Sequence, residues 1–283
     1  MTRRFRRLFR SFAGSPAQPR PRRWGLALAL VGAMALPGSL LAQTSGNAES
    51  VAGAEATKEA LADAPMPLEA FVARYTVTNG GRALGEATLQ LVRQAPRWRV
   101  DLTMSGTGLF RLAGINAEQS TLFEDLGETY RPLSQATVRK TLFTRKKTVG
   151  TYDWRSRSAR WTGDVKDKRR APVALQDGDM SGLLINLAVI RDAVPGRTLH
   201  YRYVDNGRVR EHRYAVAEEL EPISVGELRY NAMRVSRIED ANAQGDETVI
   251  WVASGVPTPI RMLQREDGED TYDLRLTEYQ GVQ

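Results

Sequence analysis

His200 and His212 are the only histidines in this chain, and it has no cysteine. Nucleophilic hydrolysis needs an activated Ser or Cys, a base beside it and a third group that orients the base. No G-x-S-x-G elbow occurs. Both histidines fall in one segment, "LHYRYV…REHRYAV", where neighbouring arginines predict exposed positions. Twelve residues apart and without HExxH spacing, they make no zinc site. Asp177 and Asp179 in "DGDMSG" lack the twelve-residue ligand series of a Ca2+ loop; Asp179 is better placed to cap a helix. Glu86 and Asp101 lie on predicted strands, where two carboxylates brought together could do acid–base work on an envelope glycan or lipid. "NGGRALG" reads as a hairpin, not as a phosphate-cradling strand-to-helix turn. No catalytic residue, metal site or cofactor is assigned, and a non-enzymatic protein is expected.

Charge is the more informative chemistry. Residues 137–171, "TVRKTLFTRKKTVGTYDWRSRSARWTGDVKDKRRA", hold 12 basic and 3 acidic residues, a net of +9, whereas 43–136 sum to −3 and 172–283 to −7. Arg145, Lys146 and Lys147 lie on or beside one strand. Arg155, Arg157 and Arg160 surround the turn between Trp154 and Trp161, and Lys166, Lys168, Arg169 and Arg170 fill the next loop. Each basic residue near an anionic membrane surface contributes about 1 kcal/mol, and indole rings suit an interface. The eight residues Arg145, Lys146, Lys147, Trp154, Arg155, Arg157, Arg160 and Trp161 are therefore a candidate patch for an anionic lipid, lipopolysaccharide, a polyanionic glycan or an envelope protein. The competing reading is a solvated sheet face neutralised by the acidic C-terminal strands.

Residues 1–23 carry eight arginines and no acid, followed by the uncharged "WGLALALVGAMAL" and by "PGSLLAQTSG". A basic start, an apolar middle and a small-residue exit predict a secretory signal peptide over residues 1–42. Left uncleaved, Trp24–Ala42 would anchor the chain with the same orientation, arginines inside and the remainder outside. The leader supplies +8 of a net +7, so residues 43–283 sum to −1. A nucleic-acid partner argued from the overall positive charge is thereby excluded. Without cysteine neither disulfides nor a lipobox can form, so a packed core has to hold the exported part together. No segment after the leader is long and apolar enough to span a bilayer.

Residues 43–69, "QTSGNAESVAGAEATKEALADAPMPLE", are small and polar and predict a flexible linker. From there to residue 283 the texture is that of strands and tight turns, and a single antiparallel β domain is expected over 70–283. "FVARYTV" and "ALGEATLQLV" flank the Asn-Gly turn of "TNGG". "WRVDLTMSG", "AEQSTLFED", "LSQATVRKTLF", "TVGTYDW" and "SARWTGD" follow. "TLHYRYV" and "VREHRYAVAEEL" flank "DNGR", and "ISVGELRYNAMRVSRIED" reads as two strands bent at Gly226. "ETVIWVA", "TPIRMLQRE" and "DTYDLRLTEY" close the series. Trp251 is expected in the core or on a sheet face, with Pro257 and Pro259 at a strand end, because proline cannot donate to a ladder. One segment departs from this pattern: Leu183, Leu184, Leu187, Val189, Ile190 and Val194 recur at helical spacing, and Pro195-Gly196 follows. The expected class is mainly β (α+β), a curved antiparallel sheet or half-open β-barrel with one covering helix near residues 180–194.

"RYTVTNGGRALGEATLQL" resembles the opening hairpin of DUF3108, a family of exported bacterial proteins of unknown function. "SVGELRYNAMRV" and "IWVASGVPTPIRMLQREDG…YDLRLTEY" are similar to its closing segment. The likeness covers about residues 70–280 and rests on the order and spacing of otherwise generic hairpins. It brings no catalytic residues; together with the leader, an exported, periplasmic protein is expected. A weaker likeness, W-x-A…P-x-P-I-R, extends to periplasmic lipoprotein carriers, whose half-open barrel holds acyl chains under a helix; it concerns fold and not function. Binding of a lipid or another anionic or apolar envelope component is the leading expectation. An envelope hydrolase and a scaffold for another envelope protein are the alternatives.

Overall fold

The computed structural model describes residues 67–283 except 109–110, 112–113, 115, 239–246, 267 and 283. The leader expected over 1–42, and all but the last three residues of the linker expected over 43–69, lie outside the described residues. Among the described residues fifteen strands form one sheet: β1 (Phe71–Asn79), β2 (Arg82–Gln94), β3 (Arg97–Gly106), β4 (Asn116–Asp125), β5 (Tyr130–Lys140), β6 (Arg145–Asp153), β7 (Ser158–Gly163), β8 (Val173–Ala174), β9 (Asp179–Met180), β10 (Thr198–Asp205), β11 (Arg208–Val225), β12 (Leu228–Ile238), β13 (Glu247–Ala253), β14 (Arg261–Glu266) and β15 (Glu269–Gly281). One α-helix, α1 (Gly182–Asp192), is present among the described residues, with a 3-10 turn at Asp167–Arg169.

The strand order is β8-β7-β6-β5-β4-β3-β2-β1-β15-β14-β13-β12-β11-β10-β9. The last strand pairs antiparallel with the first in the middle of the sheet, while β8 and β9 occupy its two edges. Those two strands are separated by residues 175–178 only, a span of at most about 18 Å from Ala174 to Asp179. Fifteen flat strands would spread over roughly 65 Å. The sheet must therefore curl until its edges approach each other. The ladder does not close across this gap; side chains bridge it. The Tyr152 hydroxyl on β6 lies 2.7 Å from the Val204 carbonyl on β10 and 2.7 Å from Gln135 Oε1 on β5. The Gln135 amide donates to Asp205. The result is the expected half-open barrel with a polar seam.

Helix α1 fills the curl, touching β10 on one side and β3, β4 and β5 on the other. Leu183, Leu184, Ile185, Leu187, Ala188 and Val189 are all buried. Most of the helix is enclosed and needs little polar surface; Gly182, Asn186 and Ile190, spaced four apart, form its one half-buried face. Full burial of Leu184 or Val189 contributes about 1.5–3 kcal/mol each. The helix ends at Asp192, so Val194, expected on its apolar face, lies beyond it and is exposed. Asp179 does not cap the helix: it is a buried residue of β9 whose carboxylate pairs with Arg202 and accepts from the Gln176 amide. Ser181 holds the cap position, and its hydroxyl meets Thr121 at 3.0 Å.

Two local departures follow from the same topology. β9 and β10 are parallel, because α1 carries the chain across between them and a helical crossover joins parallel strands. Ile223–Val225, read as a separate strand before Gly226, completes the 18-residue β11, and Gly226 with φ 58° makes the turn into β12. The "SGVPTP" segment connects β13 to β14, with the Ile260 amide donating to the Trp251 carbonyl at 2.8 Å. Trp251 is buried as expected, its indole N–H donating to Glu221 at 2.7 Å and the Arg261 guanidinium lying 4.7 Å from its ring.

Candidate functional site

The eight residues of the basic patch do not form one surface. β6 places Arg145, Lys146 and Lys147 at its first end and Trp154, Arg155 and Arg157 beyond its last, about 25 Å apart at roughly 3.3 Å per residue. Arg160 is exposed on β7 opposite Thr151. Trp161 leaves the surface altogether. It is 2% exposed in a small core with Tyr152, Ala159, Val165, Leu175 and Val204. Strand alternation turns Trp161 inward against Gly150, its ladder partner. Trp154 is half-buried, donating to the Pro132 carbonyl at 2.7 Å with the Arg131 guanidinium 5.1 Å from its ring. At this far end Arg157 is bridged to Asp177 at 3.1 Å.

The other end of β6 is different in character. The turn from β5 to β6 presents Leu142 and Phe143, which are 63% and 91% exposed. Arg145, Lys146 and Lys147 are exposed beside them and form no salt bridge among the described residues. Register sets Arg139 opposite Lys146 and Lys140 opposite Arg145, and like charges directly opposite each other destabilise a ladder. Lys140 is partly compensated by Glu118 at 2.9 Å. The loop after β7 joins the same end, since the Asp164 amide donates to the Lys147 carbonyl and the Lys147 amide to the Asp164 carboxylate, both at 2.8 Å. That loop adds exposed Lys166 and Lys168, while Arg170 is engaged by Asp167 at 3.0 Å. The Arg208 guanidinium at the β10–β11 turn is held below its ordinary value by burial and then by nearby Arg169. An apolar tip flanked by Arg145, Lys146, Lys147, Lys166 and Lys168, exposed cations that form no salt bridge among the described residues, therefore marks this end of the barrel.

The residues considered for catalysis do not converge. Glu86 is exposed opposite Ser105, and Asp101 stands opposite Gln90 with Arg99 bonded to it at 2.8 Å. Four ladder positions, roughly 14 Å, separate the two carboxylates, beyond the range of a glycosidase pair. No group of three or more potential metal ligands occurs among the described residues. His200 is exposed, as expected, but His212 is not.

His212 is 6% exposed. Along β11 it shares its face with Tyr214 and Val216, so period-two alternation carries the imidazole inward whatever the arginines beside it do. Its ring stacks on Tyr203 at 4.8 Å and 16°, with Tyr214 edge-on at 6.4 Å. Nε2 is buried without a hydrogen-bond partner. Burial first, and then the positive fields of Arg237 and Arg210, hold the imidazole down to about 3, so it is neutral. It lines a part-open cavity of about 60 Å³ between α1 and the β10–β15 half of the sheet, together with Ile185, Arg237, Ile250, Met262 and Leu274. An engineered apolar cavity of about 150 Å³ takes up a single benzene molecule. This space is therefore too small for the acyl chain that a lipid-carrying reading would put under the helix.

A rolled antiparallel sheet around one apolar helix, with a basic rim and a small internal pocket, defines a β-barrel-like protein. Residues 74–275 match DUF3108, a protein family of unknown function, and the chain belongs to that family. Among solved structures it is similar to a beta-barrel-like protein of domain of unknown function DUF1849 from Brucella abortus, 9% identical, with a TM-score of 0.44 and coverage of 77% of this chain and 99% of that one. It is also similar to a DUF1089 family protein from Pseudomonas aeruginosa, 12% identical, with a TM-score of 0.33 and coverage of 62% and 87%. No curated protein matches the chain.

Proposed function

We propose that this protein is an exported, non-enzymatic component of the bacterial periplasm that docks on an anionic lipid surface through the β5–β6 hairpin. The observation that carries the reading is Phe143 standing 91% exposed at a turn beside exposed Arg145, Lys146 and Lys147, which form no salt bridge among the described residues. An aromatic ring inserted among acyl chains gains about 1.5–3 kcal/mol, and each nearby cation adds about 1 kcal/mol against phosphate head groups. The basic leader and apolar run of residues 1–42 support export. The hydrolase alternative has lost its candidate carboxylate pair, and no separate observation favours a scaffold.

Flotation with phosphatidylglycerol–phosphatidylcholine vesicles tests the reading. Binding is expected at low salt, to weaken steeply as salt is raised, and to be absent with pure phosphatidylcholine. Lys146→Glu with Lys147→Glu should weaken binding at least thirtyfold, from about 2 kcal/mol of lost attraction. Phe143→Ser should weaken it about tenfold or more, while Arg155→Glu at the far end of β6 should leave it unchanged. Equal binding by the wild-type and Lys146/Lys147 proteins would overturn the reading.

A further inference from the structure

Arginines drawn partly out of water are usually met by an acid. Arg208 and Arg210 are not. Both are half-buried, two residues apart on the face of β11 that continues inward through His212 and Tyr214. About 7 Å separates their Cα atoms. Neither guanidinium is hydrogen-bonded or ion-paired among the described residues. We infer that this pair, at the β10–β11 end of the barrel, is a binding site for a phosphate monoester group.

The neighbouring acids are committed elsewhere. Asp205, the ladder partner of Arg208, is turned into the seam, where the Gln135 amide donates to Oδ1 and the Tyr203 hydroxyl donates to Oδ2 at 2.7 Å. Glu211 leaves from the opposite face of β11 and lies 3.9 Å from Arg202. In the loop after β7, Asp167 is bridged to Arg170 at 3.0 Å. That loop is locked against the β10–β11 turn: at Gly207, with φ 67°, an added β-carbon would lie 2.2 Å from the Arg169 carbonyl oxygen. Arg208 is thereby fixed near Arg169, whose positive field joins burial in holding it below its ordinary value. Burial first, and then the fields of Arg208 and Arg237 acting against that of Tyr203, hold Arg210 down as well. The fold has assembled positive charge here and left its neutralisation to something else.

The donor set selects the anion. A guanidinium presents its N–H groups as a planar fork that two oxygens of one acid can fill. A carboxylate has two oxygens and a single charge, enough for one fork. A phosphate monoester carries about −1.5 to −2 charge at neutral pH and three terminal oxygens, so it can meet both forks at once. The site shares no residue with the β5–β6 hairpin but lies on the same rim, because the loop that packs on Gly207 begins where Asp164 is bonded to Lys147. A lipid head group and a soluble phosphomonoester present the same chemistry; only the lipid source rests on membrane docking.

Calorimetric titration of the exported protein with methyl phosphate should show one saturable site, with acetate bound at least tenfold more weakly. Arg208→Gln with Arg210→Gln should weaken methyl phosphate tenfold or more without lowering the unfolding midpoint, since it removes half-buried charge that has no partner. Arg208→Lys with Arg210→Lys keeps the charge, loses the forks and should still weaken binding at least fivefold. Arg213→Gln, on the outer face of the same strand, should change nothing. Vesicles of phosphatidic acid and of phosphatidylglycerol, matched in surface charge, then identify the source. Tighter binding to phosphatidic acid that disappears in the glutamine variant assigns a lipid head group; equal binding to the two assigns a soluble phosphomonoester. Loss of all vesicle binding with methyl phosphate still bound would sink membrane docking and leave this site standing. No saturable binding of methyl phosphate, or unchanged affinity in either double variant, would overturn the assignment.

Discussion

Gly150 illustrates how single residues hold this barrel. A β-carbon added there would sit 2.5 Å from Trp161 Nε1 and 2.9 Å from Gln135 Cγ. Trp161 is locked in the small core by edge-on contact with Tyr152 at 5.6 Å, and Gln135 is held by Asp205 and Tyr152. Neither can retreat without loosening the seam. Gly150→Ala should therefore lower stability by about 1–3 kcal/mol, as overpacking does, read as a fall in the midpoint of thermal unfolding. An unchanged midpoint would mean that Trp161 is free to shift. The sequence marks Gly150 only as a glycine inside a strand pattern; its reason is a contact with a side chain eleven residues on and another fifteen residues back. His212 is similar. Its inward direction was legible in the alternation with Tyr214 and Val216, but the arginines beside it carry the stronger local signal of exposure.

At the scale of elements, the β5–β6 hairpin sets function against stability. Arg139 faces Lys146 across the ladder, so replacing one cation by an acid turns a repulsive pair into an attractive one, worth about 0.2–1 kcal/mol. Lys146→Glu is thus expected to raise the unfolding midpoint slightly while weakening vesicle binding. A variant that binds less because it is misfolded would show the opposite midpoint shift, so calorimetry beside flotation separates the two. The strands themselves were readable: thirteen of the runs bounded by turn residues are strands, with ends displaced where a turn replaced a bend, as at Gly226. Helix α1 was readable too. Its surroundings were not: β10 on one side and β3, β4 and β5 on the other enclose most of it, leaving Gly182, Asn186 and Ile190 half-buried. β8 and β9 escaped notice because two-residue strands have no period.

The whole molecule depends on how its two sheet edges meet. Tyr152, Gln135, Asp205 and Val204 join the β5–β6 side to β10 through side-chain hydrogen bonds, and burial pushes the Asp205 carboxyl above its ordinary value. A seam without a backbone ladder is the place where such a barrel should open first, since local opening follows the least protected contacts. Tyr152→Phe combined with Gln135→Ala should speed amide exchange in β9, β10 and β6 while β1, β2 and β15 remain protected. Uniform acceleration through all strands would show instead that the barrel opens only as a unit.

Strand positions, turn types and the buried helix were determined by the sequence itself, because period-two alternation, Asn-Gly turns and an apolar run at helical spacing act over a few neighbouring residues. The charge excess of residues 137–171 was equally plain. Its division into two ends of β6, the withdrawal of Trp161, the pocket beside His212 and the seam were decided only by the tertiary structure. Each depends on ladder register and on the curl that brings β8 and β9 together, and those come from contacts between residues far apart in the chain, which no local pattern records.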